Sequence, residues 1–438
     1  MFTDGEGLSP ITAFDGDLAP LAYLDFTTGA LPFHLLERPA VLVLGAGGGA
    51  DVLLALYHGA RRIDAVELNP QLVDLVRERY AEFAGHLYAR PEVRAHIGEA
   101  RGFVAASDER YDLIQLPLLD AFAAAAAGTL SLNASFVYTI EALETYLEHL
   151  APGGWLTITR WLKLPPRDAA KLFLTALRAL ERQGVAAPAR QLALIRSWET
   201  TTLLVKNGTL TPADIAAIRT FAAARSFDLA YYPGITADQV NQYNLLQEPY
   251  FFEAAQGLIE NPEEFLARYK FDLTPATDDR PYFFDFFRWR ALPELWAVSA
   301  QSGGALLDWG YLILAATLVQ AALLSMILVL LPLRLGSKTR PGAGRGRIAL
   351  YFGAIGLAFL FIEIASIQRF TLFLAHPLYA IGVVLAGFLL FAGLGSGVAP
   401  ALERRLAGRR TSALALAIAA IVLLAIVYIL ALPPLFAA

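Results

Sequence analysis

Two patterns of apolar residues divide the chain. Up to about residue 206, short apolar runs alternate with stretches of helical period; from 309 to 436, apolar runs of about twenty residues dominate. In the first part VLVLGAG (41–47), IDAVELN (63–69), VRAHI (93–97), YDLIQLPLL (111–119) and WLTITRW (155–161) predict strands. Between them, residues 50–59 have Leu53, Leu54 and Tyr57 at helical spacing, and 70–83 form a helix opened by Pro70. Further helices are predicted from near Glu99, over 138–150 with APGGW as its stop, and over 167–184. LALIRSWETTTLLVK (192–206) predicts two strands around a tight turn.

Strands alternating with helices mean a mostly parallel, doubly wound sheet, here closed by a hairpin. That is the class I methyltransferase-like (Rossmann-like) α/β arrangement. Residues 207–300 predict an α/β appendage: a helix from the capping Thr211, a short strand in FDLAYYPGI, and the run TPATDDRPYFFDFFRWR at 274–290. Asp278, Asp279 and Arg280 either line the substrate side of a site or form a local ion-pair turn. Tyr282, Phe283, Phe284, Phe286, Phe287 and Trp289 either pack the domain or sit at a bilayer interface, where aromatic residues concentrate.

The second part predicts an all-α transmembrane bundle of about four helices, over 309–333, 348–367, 377–398 and 413–432. Basic residues cluster between the first two (Arg334, Lys338, Arg340, Arg345, Arg347) and between the last two (Arg404, Arg405, Arg409, Arg410). The positive-inside rule puts both loops in the cytoplasm, and with a first span crossing it places the preceding domain outside. The domain's own chemistry, below, favours the cytoplasm, and that is the side expected. Gly393 with Gly397, and Gly382 with Ala386, are small-xxx-small pairs suited to close helix packing and to a helix-mediated oligomer. Glu363 is either an interfacial carboxylate beside Gln368 and Arg369 or a functional acid.

Composition narrows the classes. The hydrophobic fraction is 56%, too high for a soluble enzyme, and the net charge of −5 argues against a nucleic-acid partner. With no cysteine there are no disulfides or thiolate metal sites, and no metal is expected. The acidic, polar N-terminus has no signal-peptide pattern.

The chemistry sits at the strand ends. Gly45, Gly47, Gly48 and Gly49 follow the first strand, and Glu67 ends the second, about twenty residues on. This spacing predicts a nucleoside site: glycines let the backbone approach the ligand, and Glu67 accepts hydrogen bonds from ribose hydroxyls.

GAGGGADVL, VELNP, GEARGFV and YDLIQLPLLD resemble the successive motifs of the spermidine synthase (polyamine aminopropyltransferase) family, over roughly residues 1–206. The segment from Gly356 to Ser396 is similar to the membrane region of bacterial spermidine synthase-like membrane proteins. FTDG is similar to the end of the family's N-terminal hairpin domain. The resemblance implies domains at 1–40 (hairpin end and lead-in), 41–206 (methyltransferase-like), 207–300 (appendage) and 309–436 (membrane), in a multi-pass protein of a bacterial inner (plasma) membrane. It implies an adenosyl-sulfonium donor, S-adenosylmethionine or its decarboxylated form. Gly45, Gly47, Gly48 and Gly49 would line its sulfonium and ribose side, followed by Asp51. Glu67 would hold the ribose diol, and Glu99 with Ala100 would sit by the adenine amine, where the family more often has Asp.

One departure concerns catalysis. The family's amine nucleophile loses a proton to the first acid of a D-x-x-D pair after the fourth strand; the matching stretch is Pro117-Leu118-Leu119-Asp120. Pro117 cannot accept a proton, which leaves Asp120, with Tyr138, as the candidate catalytic residues. Three functions remain open: a membrane-anchored transferase with another small-molecule acceptor, an amine or a membrane-borne molecule; an S-adenosylmethionine-dependent methyltransferase; or a non-catalytic nucleoside-sensing domain. The lipid bilayer is the other expected partner.

Overall fold

A computed structural model describes residues 2–3, 7–119, 134–288, 309–330, 345–374, 377–405 and scattered positions from 415 to 430. The chain forms two compact units, Met1–Ser337 and Lys338–Ala438.

In the first unit a two-residue pair, β1 (Phe2–Thr3) and β2 (Gly7–Leu8), precedes an eight-stranded mixed sheet. Its strands are β3 (Ala40–Leu44), β4 (Arg62–Glu67), β5 (Val93–Ile97), β6 (Tyr111–Leu116), β7 (Leu150–Trp161), β8 (Leu192–Arg196), β9 (Thr200–Lys206) and β10 (Asp228–Tyr231). The order is β10-β8-β9-β7-β6-β3-β4-β5. From β7 to β5 all pairs are parallel; β9, β8 and β10 join antiparallel. This is the expected methyltransferase-like sheet. All five residues of β3 are buried, as a central parallel strand covered on both faces requires. Strand order reverses between β3 and β6, and the carboxyl ends of strands at such a switch point are where open α/β sheets bind ligands.

Helices α1 (Ala50–Tyr57), α2 (Pro70–Asp74), α3 (Ala100–Ala105), α4 (Ile140–Glu148) and α5 (Asp168–Arg182) connect these strands. Next come α6 (Pro212–Ala224), α7 (Tyr250–Glu260) and α8 (Pro262–Arg268). Helix α6 starts at Thr211 in a full capping box with Asp214.

Three expectations change. The helix predicted over 70–83 is α-helical only to Asp74; Leu75–Arg79 is a π turn, in which the Tyr80 N–H donates to the Leu75 carbonyl at 2.8 Å. Strand β7 begins at Leu150, so APGGW lies within it; Leu150 pairs with Tyr111 before a register shift. The strand of the appendage, β10, is the edge of the main sheet rather than a separate element.

The aromatic run packs inward. Phe283, Phe284 and Phe286 are buried, the first completely. Cations explain why. The Arg160 guanidinium lies 4.9 Å from the Phe284 ring centre, Arg167 5.4 Å from Phe286, and the Lys171 ammonium 5.0 Å from Phe286. Lys171 also donates to the carbonyls of Asp285 (2.8 Å) and Tyr282 (3.3 Å), and burial lowers its pKa to about 8. Trp289 lies outside the described residues. Asp278 forms a bidentate pair with Arg101 (2.5 and 2.8 Å) and accepts from Thr139, and its N–H donates to Glu141. The acidic turn thus locks α3 to α4.

Further along this unit, α9 (Trp309–Ser325) is apolar and runs into a π segment, Met326–Leu330. In the second unit α10 (Arg345–Leu374) and α11 (Pro377–Arg405) are long, and their Leu350–Thr371 and Leu378–Ala401 segments are long and apolar enough to cross a membrane. They touch through Phe359 and Phe388 (ring centres 5.2 Å apart), and Ala380 and Val384 are buried. A Cβ added at Gly382, Gly393 or Gly397 would meet nothing within 4 Å, so these glycines are not where the two helices approach. Most of the fourth predicted span lies outside the described residues.

One buried pair tests this packing. Arg196 and Asp228 are almost wholly buried, 3.3 Å apart, joining β8 to β10. Asp228→Asn leaves the guanidinium buried without its counter-charge and is expected to cost about 3–5 kcal/mol. The urea midpoint of the purified protein measures it; an unchanged midpoint removes the pair from the fold's supports.

Candidate functional site

The site is assembled at the carboxyl ends of β3, β4, β5 and β6. After β3 the chain turns through Gly45 (φ 91°), Gly47 (φ 52°) and Gly49 (φ 92°), left-handed positions that favour glycine. The space beside this turn is also filled. A Cβ on Gly48 would lie 2.1 Å from the Pro10 carbonyl oxygen, and one on Gly45 2.1 Å from Leu119 Cδ2.

Glu67, the last residue of β4, reaches across this turn. Its Oε2 accepts from the Gly47 N–H at 2.9 Å and its Oε1 from the Asn69 N–H at 2.8 Å. Two N–H partners leave about half of a carboxylate's acceptor sites for a ligand. The other backbone N–H groups of the turn are also engaged: Gly45 and Ala46 with the Val66 carbonyl, Gly48 with Ser9 Oγ (2.6 Å), and Gly49 with the Ala46 carbonyl.

Asp51 stands in the first turn of α1, and its Oδ1 accepts from Gln115 Nε2 at 2.9 Å. It keeps partial contact with solvent, but packed protein surrounds the carboxyl group, and desolvation raises its pKa to about 6. Glu99 is the N-cap of α3, accepting from the Gly102 N–H at 2.6 Å, and Ala100 is half-buried beside it. The structure therefore gathers the glycines, Asp51 and Glu67 around one turn, and Glu99 with Ala100 follows the neighbouring strand end.

The two catalytic candidates fare differently. Asp120 lies outside the described residues. Tyr138 is buried, its hydroxyl accepting from Arg160 Nη1 at 3.0 Å and its ring centre 4.7 Å from that of Phe283. It belongs to the Arg160 cluster, in which that guanidinium also meets Asp168 at 3.1 Å. Pro117 is buried directly after β6.

Three residues at the turn escape a reading of the sequence: Ser9, Pro10 and Tyr88. The Tyr88 hydroxyl donates to the Gly47 carbonyl at 3.1 Å, and burial pushes its pKa up. Each reaches the turn from a distant part of the chain, so no local pattern marks it. A second polar cluster joins the lead-in segment, the end of α1 and the residue after α6. His34 and His58 each place Nε2 against Asp25 Oδ1 (2.7 and 2.9 Å), with Arg225 on the other oxygen. Burial opposes ionisation of Asp25, but its bonds to His34 and Arg225 prevail and lower its pKa.

No protein-family model matches the chain. It is 31% identical over 88 residues to a polyamine aminopropyltransferase of Korarchaeum cryptofilum, covering 20% of this chain and 27% of that protein. It is 30% identical over 115 residues to polyamine aminopropyltransferase 2 of Hyperthermus butylicus, covering 26% and 35%. The chain is spermidine synthase-like. It spans about a third of the length of these curated relatives. The spermidine synthase of Thermotoga maritima is similar over 61% of this chain and 75% of that one, at 13% identity and a TM-score of 0.32. The fold of this spermidine synthase-like domain rests on its own strand order.

The raised pKa of Asp51 has a signed consequence. Between pH 3.8 and about 6 the folded chain holds a proton that the unfolded chain has lost. Asp51 therefore makes stability fall as pH rises through that window and level off above it. Asp51→Asn is expected to remove this decline, read as the urea midpoint against pH. Parallel profiles for the two proteins would mean that Asp51 titrates as an ordinary carboxylate.

Proposed function

We propose that the domain binds an adenosyl-sulfonium donor and transfers a group from it to a small acceptor. It would be anchored to a membrane by its C-terminal apolar helices. The observation that carries this reading is the Glu67 carboxylate, held by two backbone N–H groups with acceptor sites left over for a ribose diol. A phosphate-bearing ligand fits less well. Dinucleotide folds offer the glycine N–H groups to pyrophosphate at a helix N-terminus. Here the N–H groups from Gly45 to Gly49 already have partners, and Asp51 puts a carboxyl group in the first turn of the helix. A cationic sulfonium tolerates that neighbour; a phosphate does not.

Pro117 supports an acceptor other than a polyamine, because the position after β6 offers neither a base nor a carboxylate for an ammonium. Leu119, against Gly45, makes that wall apolar. The same two residues favour methyl transfer from S-adenosylmethionine as the second reading, since that chemistry rests mainly on in-line positioning. Asp120 and Tyr138 remain the candidates for proton handling in either case. Without turnover, the same site would serve as a nucleoside sensor.

Calorimetric titration of the solubilised protein with S-adenosylmethionine, its decarboxylated form and methylthioadenosine tests this reading. Preference for the decarboxylated donor favours aminopropyl-type transfer, and preference for S-adenosylmethionine favours methyl transfer. Glu67→Gln is expected to weaken the preferred ligand roughly tenfold to a hundredfold, the worth of about 1.5–3 kcal/mol for hydrogen bonds to a charged group. Absence of binding by all three ligands overturns the donor site.

A further inference from the structure

Most large apolar side chains of the sheet domain are buried, yet one edge keeps several in solvent. Trp198 is 73% exposed, Leu245 75%, Tyr243 48% and Leu164 39%. They come from three segments: the loop after β7, the β8–β9 turn and the loop at 241–246. Strand directions put all three at one edge. Trp161 pairs with Thr200, and Arg196 pairs with both Thr201 and Asp228, so the end of β7, the β8–β9 turn and the start of β10 share the carboxyl end of the sheet. The glycine turn and Pro117 lie at that same end.

These loops are not slack. The Asp228 carboxylate accepts from the N–H groups of Gln242 (2.5 Å), Tyr243 (3.0 Å) and Asn244 (2.7 Å). Arg196 donates to Asn241 Oδ1 (2.7 Å) and the Asn244 carbonyl (2.9 Å), and Asn241 bonds both the N–H and the carbonyl of Leu246 at 2.8 Å. The Leu162 N–H donates to the Glu199 carbonyl at 2.7 Å, tying the loop after β7 to the turn that carries Trp198. A buried ion pair and a closed set of backbone bonds thus hold Tyr243 and Leu245 outward. Residues 240–247, VNQYNLLQ, carry no charge.

We propose that this rim docks on the lipid bilayer, turning the mouth of the nucleoside site toward the headgroup layer. The proposal rests on the reading that the C-terminal helices cross a membrane. Those helices name the occupant: the same chain carries two segments of mean hydropathy 2.0 and 2.2, which would keep the domain next to lipid. The side chains agree. Tryptophan and tyrosine, an apolar body with a polar tip, concentrate at headgroup depth, and leucine beside uncharged amides can enter it without burying a charge. An acceptor held at that depth would reach Pro117 and Leu119 without crossing bulk water.

The chain has no cysteine, so single-cysteine variants label without background. The full chain is placed in phosphatidylethanolamine–phosphatidylglycerol nanodiscs, with an environment-sensitive fluorophore on Trp198→Cys or Leu245→Cys. Asp108→Cys, before β6 at the amino end of the sheet, is the solvent control. Leu389→Cys, 73% exposed on α11, is the membrane control. Both rim labels are expected to shift to the blue and to lose most of their emission to doxyl-labelled lipid, as at 389, while 108 stays bright. Both rim side chains lie in solvent, so the variants should keep the wild-type urea midpoint, and the two positions check each other. Quenching at 389 without quenching at 198 and 245 overturns the rim proposal and leaves the membrane anchor standing. Rim labels shielded from iodide but not quenched by doxyl lipid overturn it too, because a protein surface then covers them. No quenching at 389 removes the anchor, and the rim proposal falls with it.

Discussion

The Glu67 carboxylate is the clasp on which the candidate site depends. It ends β4 and holds Gly47 with one oxygen and Asn69 with the other, so one side chain fixes both the glycine turn and the start of α2. The turn can accept this clasp because Gly45, Gly47 and Gly49 adopt left-handed conformations that a larger residue would resist. Ser9 and Pro10 press on it from the other side. The protein alone therefore sets this backbone, and the turn presents carboxylate lone pairs rather than free N–H groups. That polarity favours hydroxyls and cations over phosphates.

The segment after β6, beside the glycine turn, has a different character. Past β6 the chain offers Pro117 and Leu119, neither of which can move a proton. Cations are plentiful nearby but are committed to structure: Arg160 holds Asp168 and Tyr138, and Lys171 holds the carbonyls of Asp285 and Tyr282. These contacts draw the 282–286 aromatic run inside the domain. They also set Tyr138 in a packed cluster, where an aromatic–guanidinium contact fixes its ring.

Local signals were legible in the sequence, and long-range ones were not. The buried run AVLVL, the glycine turn, the acid ending β4 and the caps at Thr211 and Glu99 depend on residues a few positions apart, so pattern and spacing reveal them. APGGW looks like a helix stop because Pro and Gly weaken helices, yet Leu150 gains a partner in Tyr111 across the sheet and the strand starts early. The aromatic run looked equally suited to core or bilayer. What decides it is cation contact from Arg160, Arg167 and Lys171, more than a hundred residues upstream. FDLAYYPGI could be read as a strand but not as the sheet's edge, since only its register with β8 reveals that. The Ser9 and Tyr88 contacts follow the same rule: each closes a loop of about forty residues onto Gly48 or Gly47.

The apolar helices make the converse point about small residues. Glycine at four-residue spacing lets two helices approach closely, but it does not say which two. Helices α10 and α11 meet through Phe359, Phe388 and the face of Ala380 and Val384, while Gly382, Gly393 and Gly397 look onto open space. Within a bilayer, lipid tails as apolar as leucine would give no hydrophobic drive to close such a face, and only shape-matched packing would. A smooth, glycine-lined face beside a bulky aromatic contact therefore gives one chain two distinct helix surfaces. The aromatic one serves the pair, and the small-residue one takes no part in it.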